Sequence, residues 1–329
     1  MKKKKGILTI FQPEYALFWL ILLAIIFFWI MQPAFVSFGN LMNVLKNASY
    51  MALMVLGLTW VIATNEMDCS FPDVAACASM VFAWLAFHGY SVLVSFIIAM
   101  LSGILCGVLT SILVVRFKYH SLITTIAVST IAKSVAAALY GGMPLSVPVI
   151  KSTGFYKFVN SYLAGIPVIF IIAVAIYAVL FIIQEKTRYG QYVYALGENR
   201  VAVQEAGIKT GKVLTGVFIT SAFFAALSGI LMVFVVYGSG QPKMGSAFFL
   251  DGFTVVFLGA MVMKLGKTNV VGTFLGGIML AIVVNGLTQL GASFATSQIT
   301  KGVLLVIGIV IAALGQRKNR GKAGLLKYE

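Results

Sequence analysis

VAACASMVFAWLAFHGYSVLVSFIIAMLSGILCGVLTSILVV, residues 74–115, has no charged side chain in 42 positions. At 1.5 Å per helical residue the run would extend about 63 Å, roughly twice the hydrocarbon thickness of a bilayer. It must therefore fold back once, and His88-Gly89-Tyr90 marks the turn. A soluble domain carries about 25% charged residues. This chain of 329 residues carries 10%, with 60% hydrophobic residues and a mean hydropathy of +1.01. Both observations require an integral membrane protein. Its continuous apolar runs are helical, because the strands of a membrane barrel alternate apolar and polar positions.

Outward from this hairpin, charge-free runs predict helices near 16–31, 45–64, 71–88, 92–115, 121–140, 166–183, 213–237, 248–263, 270–287 and 298–314. The expected fold is thus all-α, with about ten transmembrane helices in one domain spanning 1–329. The MKKKKG start has the charge of a signal peptide, but no small-residue cleavage site precedes MQPAF. Residues 16–31 are read as a retained first helix behind a tail, 1–15. With ten helices, 18 of the 24 Lys and Arg fall on one side, in Lys2–Lys5, Arg116, Lys118, 186–212, Lys264, Lys267 and 317–327. Positive charge gathers in cytoplasmic loops. Both termini, including the tail 315–329, are therefore expected in the cytoplasm, and the +15 net charge reflects orientation rather than nucleic-acid binding. The terminal lysine clusters also suit anionic lipid. Cys69, Cys77 and Cys106 form no CxxC pair, so neither a metal nor a disulfide framework is expected. Lys264-Leu265-Gly266-Lys267-Thr268 ends like a phosphate loop but has Met261 where the first glycine belongs. It reads as a short basic loop, and no nucleotide is assigned to this chain.

TNEMDCSF, residues 64–71, breaks the pattern. Glu66, Asp68 and the nearby Asp73 bring three of the nine acidic residues into a stretch with no base. Pro72 follows, and proline removes a backbone donor. A helix broken near the membrane centre accounts for both facts, since irregular backbone at that depth survives only against protein or a wet cavity. Asp251 precedes a second small-residue-rich run, 252–260, as Asp68 precedes 74–82, which points to a weak internal repeat. Each aspartate either accepts hydrogen bonds from a polar solute or caps a helix or pairs with a lysine. Lys133 interrupts the fifth helix midway and is expected to pair with an acid of 65–73. Gly103/Gly107 and Gly272/Gly276 have GxxxG spacing, a packing signal.

The longest polar segment, 184–212, reads QEKTRYGQYVYALGENRVAVQEAGIKTGK. Residues 198–206 predict a short helix stopped by Gly207. It is either a partner-docking element or a solvated connector. Here the sequence resembles a known family. Ala195-Leu196-Gly197, Asn199, Ala202 and Ala206-Gly207-Ile208 are similar to the "ALGxNxxAAxxxGI" segment of ribose-type sugar permeases of ABC importers. Leu122-Ile123-Thr124-Thr125 through Lys133, Gly141-Gly142 and Pro144 are similar to "TLGTxxIARG…GGxP". Leu250-Asp251 with 255–260, Val271 to Gly276, and Asn285-Gly286-Leu287 resemble "ELDAIAAVVLGG", "VLGTLLGA" and "NNGLNL". The order of these motifs, from about residue 40 to 314, is more specific than any one of them. At 65–72 the family usually reads "GGIDLSVGS"; this chain keeps the aspartate and serine and lacks the leading glycines.

The resemblance implies a non-catalytic permease subunit in a bacterial inner membrane. Its expected path residues are Asn65, Glu66, Asp68, Ser70, Asp73, Lys133, Asp251 and Asn285. Its expected ATPase contacts are Gly197, Glu198, Asn199, Ala202, Glu205, Ala206, Gly207 and Ile208. It further implies cytoplasmic ABC ATPases carrying the ATP and Mg, a second permease copy or sister permease, an extracytoplasmic binding protein, and a monosaccharide or similar small polar solute. Two other readings stand beside it. One is an ion-coupled carrier using Glu66, Asp68 and Asp73 as proton sites. The other is a membrane enzyme, for which His88 and His120 at predicted helix ends supply no nucleophile–base pair.

Overall fold

The computed structural model describes residues 15–325, with side chains to Gly315. Lys2–Lys5 and the side chains of 317–327 lie outside the described residues. The described chain is predominantly helical: α1 (Ala16–Met31), α2 (Phe38–Ala63), α3 (Phe71–Phe87), α4 (Val92–Ser111), α5 (Ser121–Leu139), α6 (Gly154–Val159), α7 (Val168–Lys186), α8 (Arg188–Glu198), α9 (Arg200–Glu205), α10 (Thr210–Met232), α11 (Met244–Gly259), α12 (Val270–Gln289) and α13 (Phe294–Leu325). Wide π turns extend α4 through Ile112–Arg116 and α10 through Val233–Tyr237. Two short antiparallel pairs join 145–146 to 239–240 and 162–163 to 166–167.

Among the described residues, seven helices are long and apolar enough to cross a membrane: α2, α4 and α10 with their π turns, α5, α7, α12 and α13. α1, α3 and α11 are shorter apolar helices of 16, 17 and 16 residues. By length alone, then, seven helices qualify rather than about ten. The segment read as a tail from 315 continues α13 to Leu325.

Local chemistry sets the ends of these helices. Ser91 caps α4 by accepting from the Val94 amide at 3.3 Å, and Asn269 caps α12 by accepting from Gly272 at 2.7 Å. Pro72 sits in the first turn of α3, where its missing N–H costs nothing, so it starts that helix. The interruption comes earlier: Asn65 takes a left-handed φ of 61°, which asparagine tolerates, and 66–70 are non-helical.

The core forms around α2 and α10. Gly57 of α2 meets the backbone of Thr220 and Ser221 so closely that a Cβ would collide. Thr59 Oγ1 lies 2.8 Å from Thr273 Oγ1, and the Tyr177 hydroxyl donates to Ala52 O at 2.7 Å, joining α12 and α7 to α2. The GxxxG signals hold as packing: Gly103 and Gly107 admit Ala226 and Ala222 of α10, while Gly272 and Gly276 admit Gly259 and Val255 of α11. The packing also repeats. α3 lies on α4 and α5 as α11 lies on α12 and α13, and α10 lies on α4 as α2 lies on α12.

Candidate functional site

The three acids of the break are each absorbed by a different neighbour. Asp68 is 2% exposed. Its Oδ1 accepts from the Ser70 amide (2.8 Å) and hydroxyl (2.6 Å), and its Oδ2 accepts from the Ser221 hydroxyl of α10 (2.7 Å). Glu66 Oε1 accepts from Arg200 Nη1 of α9 at 2.9 Å. Asp73 Oδ2 accepts from the Ser129 hydroxyl of α5 at 2.5 Å. Serine and threonine side chains also satisfy the broken backbone: the Met67 amide donates to Ser121 Oγ (3.1 Å) and the Cys69 amide to Thr125 Oγ1 (3.0 Å). The stretch is therefore no surface loop of unpaired acids.

Lys133 does not pair with this segment. α3 meets α5 at the level of Ser129, one turn before Lys133, so a hydroxyl takes the carboxylate and the lysine stays outside. Lys133 is exposed, beside exposed Thr130 and Ser134, and among the described residues it forms no ion pair. The buried lysine is another one. Lys301 of α13 places Nζ 2.9 Å from both oxygens of Asp251 and donates to Oδ2, with side-chain exposures of 11% and 9%. Asp251 lies inside α11 rather than before a helix and, like Asp73 on α3, bonds the helix packed beside its own. Asn285 accepts from Asn40 Nδ2 at 2.9 Å, at the start of α2.

At the other end of these helices, 184–212 forms a platform. Its helix starts earlier than 198 and breaks at Asn199, which is extended (φ −156°) and caps α9 by accepting from the Ala202 amide at 3.1 Å. α8 and α9 are thus two short helices with a joint between them. Gly207, at φ +76°, ends the second. Gly197 abuts the Ala63 carbonyl at the end of α2, where any larger residue would clash. Val203 is buried beneath α9, while Arg200, Val201, Ala202, Glu205 and Ala206 are exposed. Ile208 is partly buried.

Ion pairs fasten this platform. Glu198 pairs with Lys267 at 2.5 Å and Glu185 with Lys264 at 2.7 Å, both onto the α11–α12 connection. The Tyr194 hydroxyl donates to Glu185 at 2.9 Å, and Lys264 lies 4.4 Å from the Tyr194 ring centre. Burial, with Glu185 beside it, pushes the Tyr194 phenol above its usual range, so it remains a donor at physiological pH. Lys264–Thr268 is a turn, with Thr268 donating to Thr59 O at 3.0 Å. A hollow of about 100 Å³ lies between α8 and these turns, lined by Asn65, Gly197, Glu198, Lys267 and Thr268 among others.

Five of the expected path residues are thus held in separate helix contacts: Asp68 together with Ser70, then Asp73, Asp251 and Asn285 each on its own. Glu66 and Asn65 belong with the platform, and Lys133 stands apart on α5. Sequence reasoning missed the partners Ser129, Ser221, Arg200 and Lys301. Their one local signal is polarity within an apolar run or next to one.

A family model described as the permease component of branched-chain amino acid transport systems matches residues 40–312. The chain is similar to the ribose import permease protein RbsC of Haemophilus influenzae, 28% identical over 292 residues that cover 88% of this chain and 90% of the relative. It is similar to RbsC of Bacillus subtilis, 27% identical over 306 residues and 93% of each chain. The galactofuranose transporter permease protein YtfT of Escherichia coli is 26% identical over 274 residues, 83% of this chain and 80% of the relative.

Proposed function

This chain belongs to the permease-component family matched over 40–312, and from that premise we propose that it is the membrane subunit of an ATP-driven importer for a monosaccharide or similar small polar solute. The observation that carries the reading is the α8–α9 platform. A short helix that exposes Arg200, Val201, Ala202, Gln204 and Glu205, anchored by Val203 and tied with its neighbours by ion pairs to both halves of the molecule, suits a grip by a separate motor. Two cytoplasmic ATPases, which hold the ATP and Mg, would dock at 197–208. α1, α3 and α11 complete ten crossings with both termini cytoplasmic in a bacterial inner membrane, and the repeated packing reflects an internal repeat.

Two permease chains, identical or sister, surround one path. A lysine facing lipid at mid-helix is costly. The exposed Thr130, Lys133 and Ser134 therefore mark the face of α5 turned to the path and the second permease. The buried acids act as frame. An extracytoplasmic binding protein delivers the solute; the ribose and galactofuranose names among the relatives support a sugar without choosing one.

Co-purification followed by reconstitution tests this. The expected result is ATP-dependent uptake only when the ATPase and binding protein are present, with the solute identified from the binding protein. Uptake by the purified chain alone under an ion gradient would overturn it in favour of an ion-coupled carrier.

A further inference from the structure

We infer that the Arg200–Glu66 ion pair is a strut that carries motion of α9 into the break at 64–70 and from there into α5. The inference rests on the importer reading above and assigns a positioning role to two residues of that machine. α8 and α9 have different attachments. Two ion pairs, Glu198–Lys267 and Glu185–Lys264, fasten α8 and its approach to the α11–α12 turn, in the second half. α9 turns away at the extended Asn199. Among the described residues, α9 makes one ion pair, Arg200 to Glu66, across 134 positions of sequence into the first half. Its other side-chain bond, Gln204 to Thr210, reaches only the start of the next helix.

Beyond Glu66 the linkage is short: the Met67 side chain is exposed, but its backbone and that of Cys69 are bonded to α5. The Met67 and Cys69 amides donate to Ser121 and Thr125 in the first two turns of α5. Asp68 between them is held by Ser70 and by Ser221 of α10. Displacement of Arg200 therefore reaches α5 through one ion pair and two hydrogen bonds. α5 is the helix with the exposed Thr130, Lys133 and Ser134 face. α8, bonded to the α11–α12 turn, also abuts the end of α2 at Ala63, so bending at Asn199 shifts α9 and Glu66 relative to both. Arg200 is 48% exposed, so the pair adds little to stability. Its value lies in what it connects.

The test uses the whole transporter, purified with its own ATPase and binding protein and sealed in liposomes. The readout is solute taken up per ATP hydrolysed. Glu66→Gln and Arg200→Gln should each lower that ratio at least about fivefold, the lower end of ordinary coupling effects. The charge swap Glu66→Arg with Arg200→Glu should recover most of the loss, which a purely local packing role would not predict. A wild-type ratio in both single variants overturns the strut, as does a swap no better than the singles. If the single variants lose the ATPase from the complex, the swap decides in the same way. Absence of ATP-driven uptake in the wild-type complex overturns the importer reading and the strut together. Normal wild-type uptake with an unchanged Glu66→Gln ratio removes the strut alone.

Discussion

The α3–α5 and α11–α13 contacts occupy matching places in the two halves, yet each is closed differently. In the first, Asp73 accepts from the Ser129 hydroxyl and the lysine of α5, Lys133, is left outside. In the second, Asp251 takes the lysine of α13, Lys301, into a buried ion pair. Two charges stripped of water hold each other strongly and tolerate the loss of neither. A carboxylate–hydroxyl contact is weaker, and its donor rotates freely to another acceptor. The second half is therefore pinned at this contact, and the first half is the one built to shift. That agrees with where the break lies: apart from the Arg200 ion pair at Glu66, the side chains that anchor it, Ser70, Ser121, Thr125 and Ser221, are hydroxyls.

Breaking the pin gives the largest effect. Lys301→Met leaves Asp251 buried and unpaired, at an expected cost of about 3–5 kcal/mol. The melting temperature of the purified protein in detergent should fall sharply, and adding Asp251→Asn should restore most of it. A melting temperature unchanged by Lys301→Met would mean the pair is not the pin, and the contrast between halves would fail. Next comes Asp68→Asn, which keeps shape but removes the charge that accepts three hydrogen bonds. Loss of charge-assisted bonding there should cost about 1.5–3 kcal/mol by the same melt. Ser129→Ala probes the weak counterpart of the pin directly. Side-chain hydrogen bonds in membrane proteins average about 0.6 kcal/mol and reach about 1.7. A loss as large as that of Lys301→Met would erase the distinction between the halves.

Much of this architecture was legible because bilayers impose long apolar runs. Most expected helices recur within a few residues of their predicted limits, and 16–31 recurs unchanged. Gly103/Gly107 and Gly272/Gly276 were readable as close contacts because glycine spacing is local information. The partners of the acids were not readable. Glu66 and Arg200 are 134 positions apart, Asp68 and Ser221 153 apart, and no periodicity links them. Lys133 was assigned to an acid on charge alone, but the level at which α3 crosses α5 delivers Ser129. Asp251 and Asp68 share the small residues that follow each, but their partners are different in kind: Lys301 of α13 for one, Ser221 of α10 for the other. The joint at Asn199 was hidden because asparagine caps look like ordinary polar positions until the helix on each side is seen.

The smallest expected effect on stability is also the sharpest check on the contrast, because it makes in α5 the same substitution already made in α13. Lys133→Met removes an exposed charge that, among the described residues, has no ion-pair partner. A substitution free of buried partners usually changes stability by no more than about 0.5 kcal/mol. The melt should therefore hardly move, while the chemically identical Lys301→Met collapses it. Transport separates the two again. If the face of α5 bearing Thr130, Lys133 and Ser134 lines the path, Lys133→Met alters uptake by the assembled transporter without altering the fold. Unchanged uptake together with an unchanged melt would turn that face toward lipid headgroups or solvent. A large fall in melting temperature would mean that Lys133 finds a carboxylate after all, and the two halves would then be closed alike.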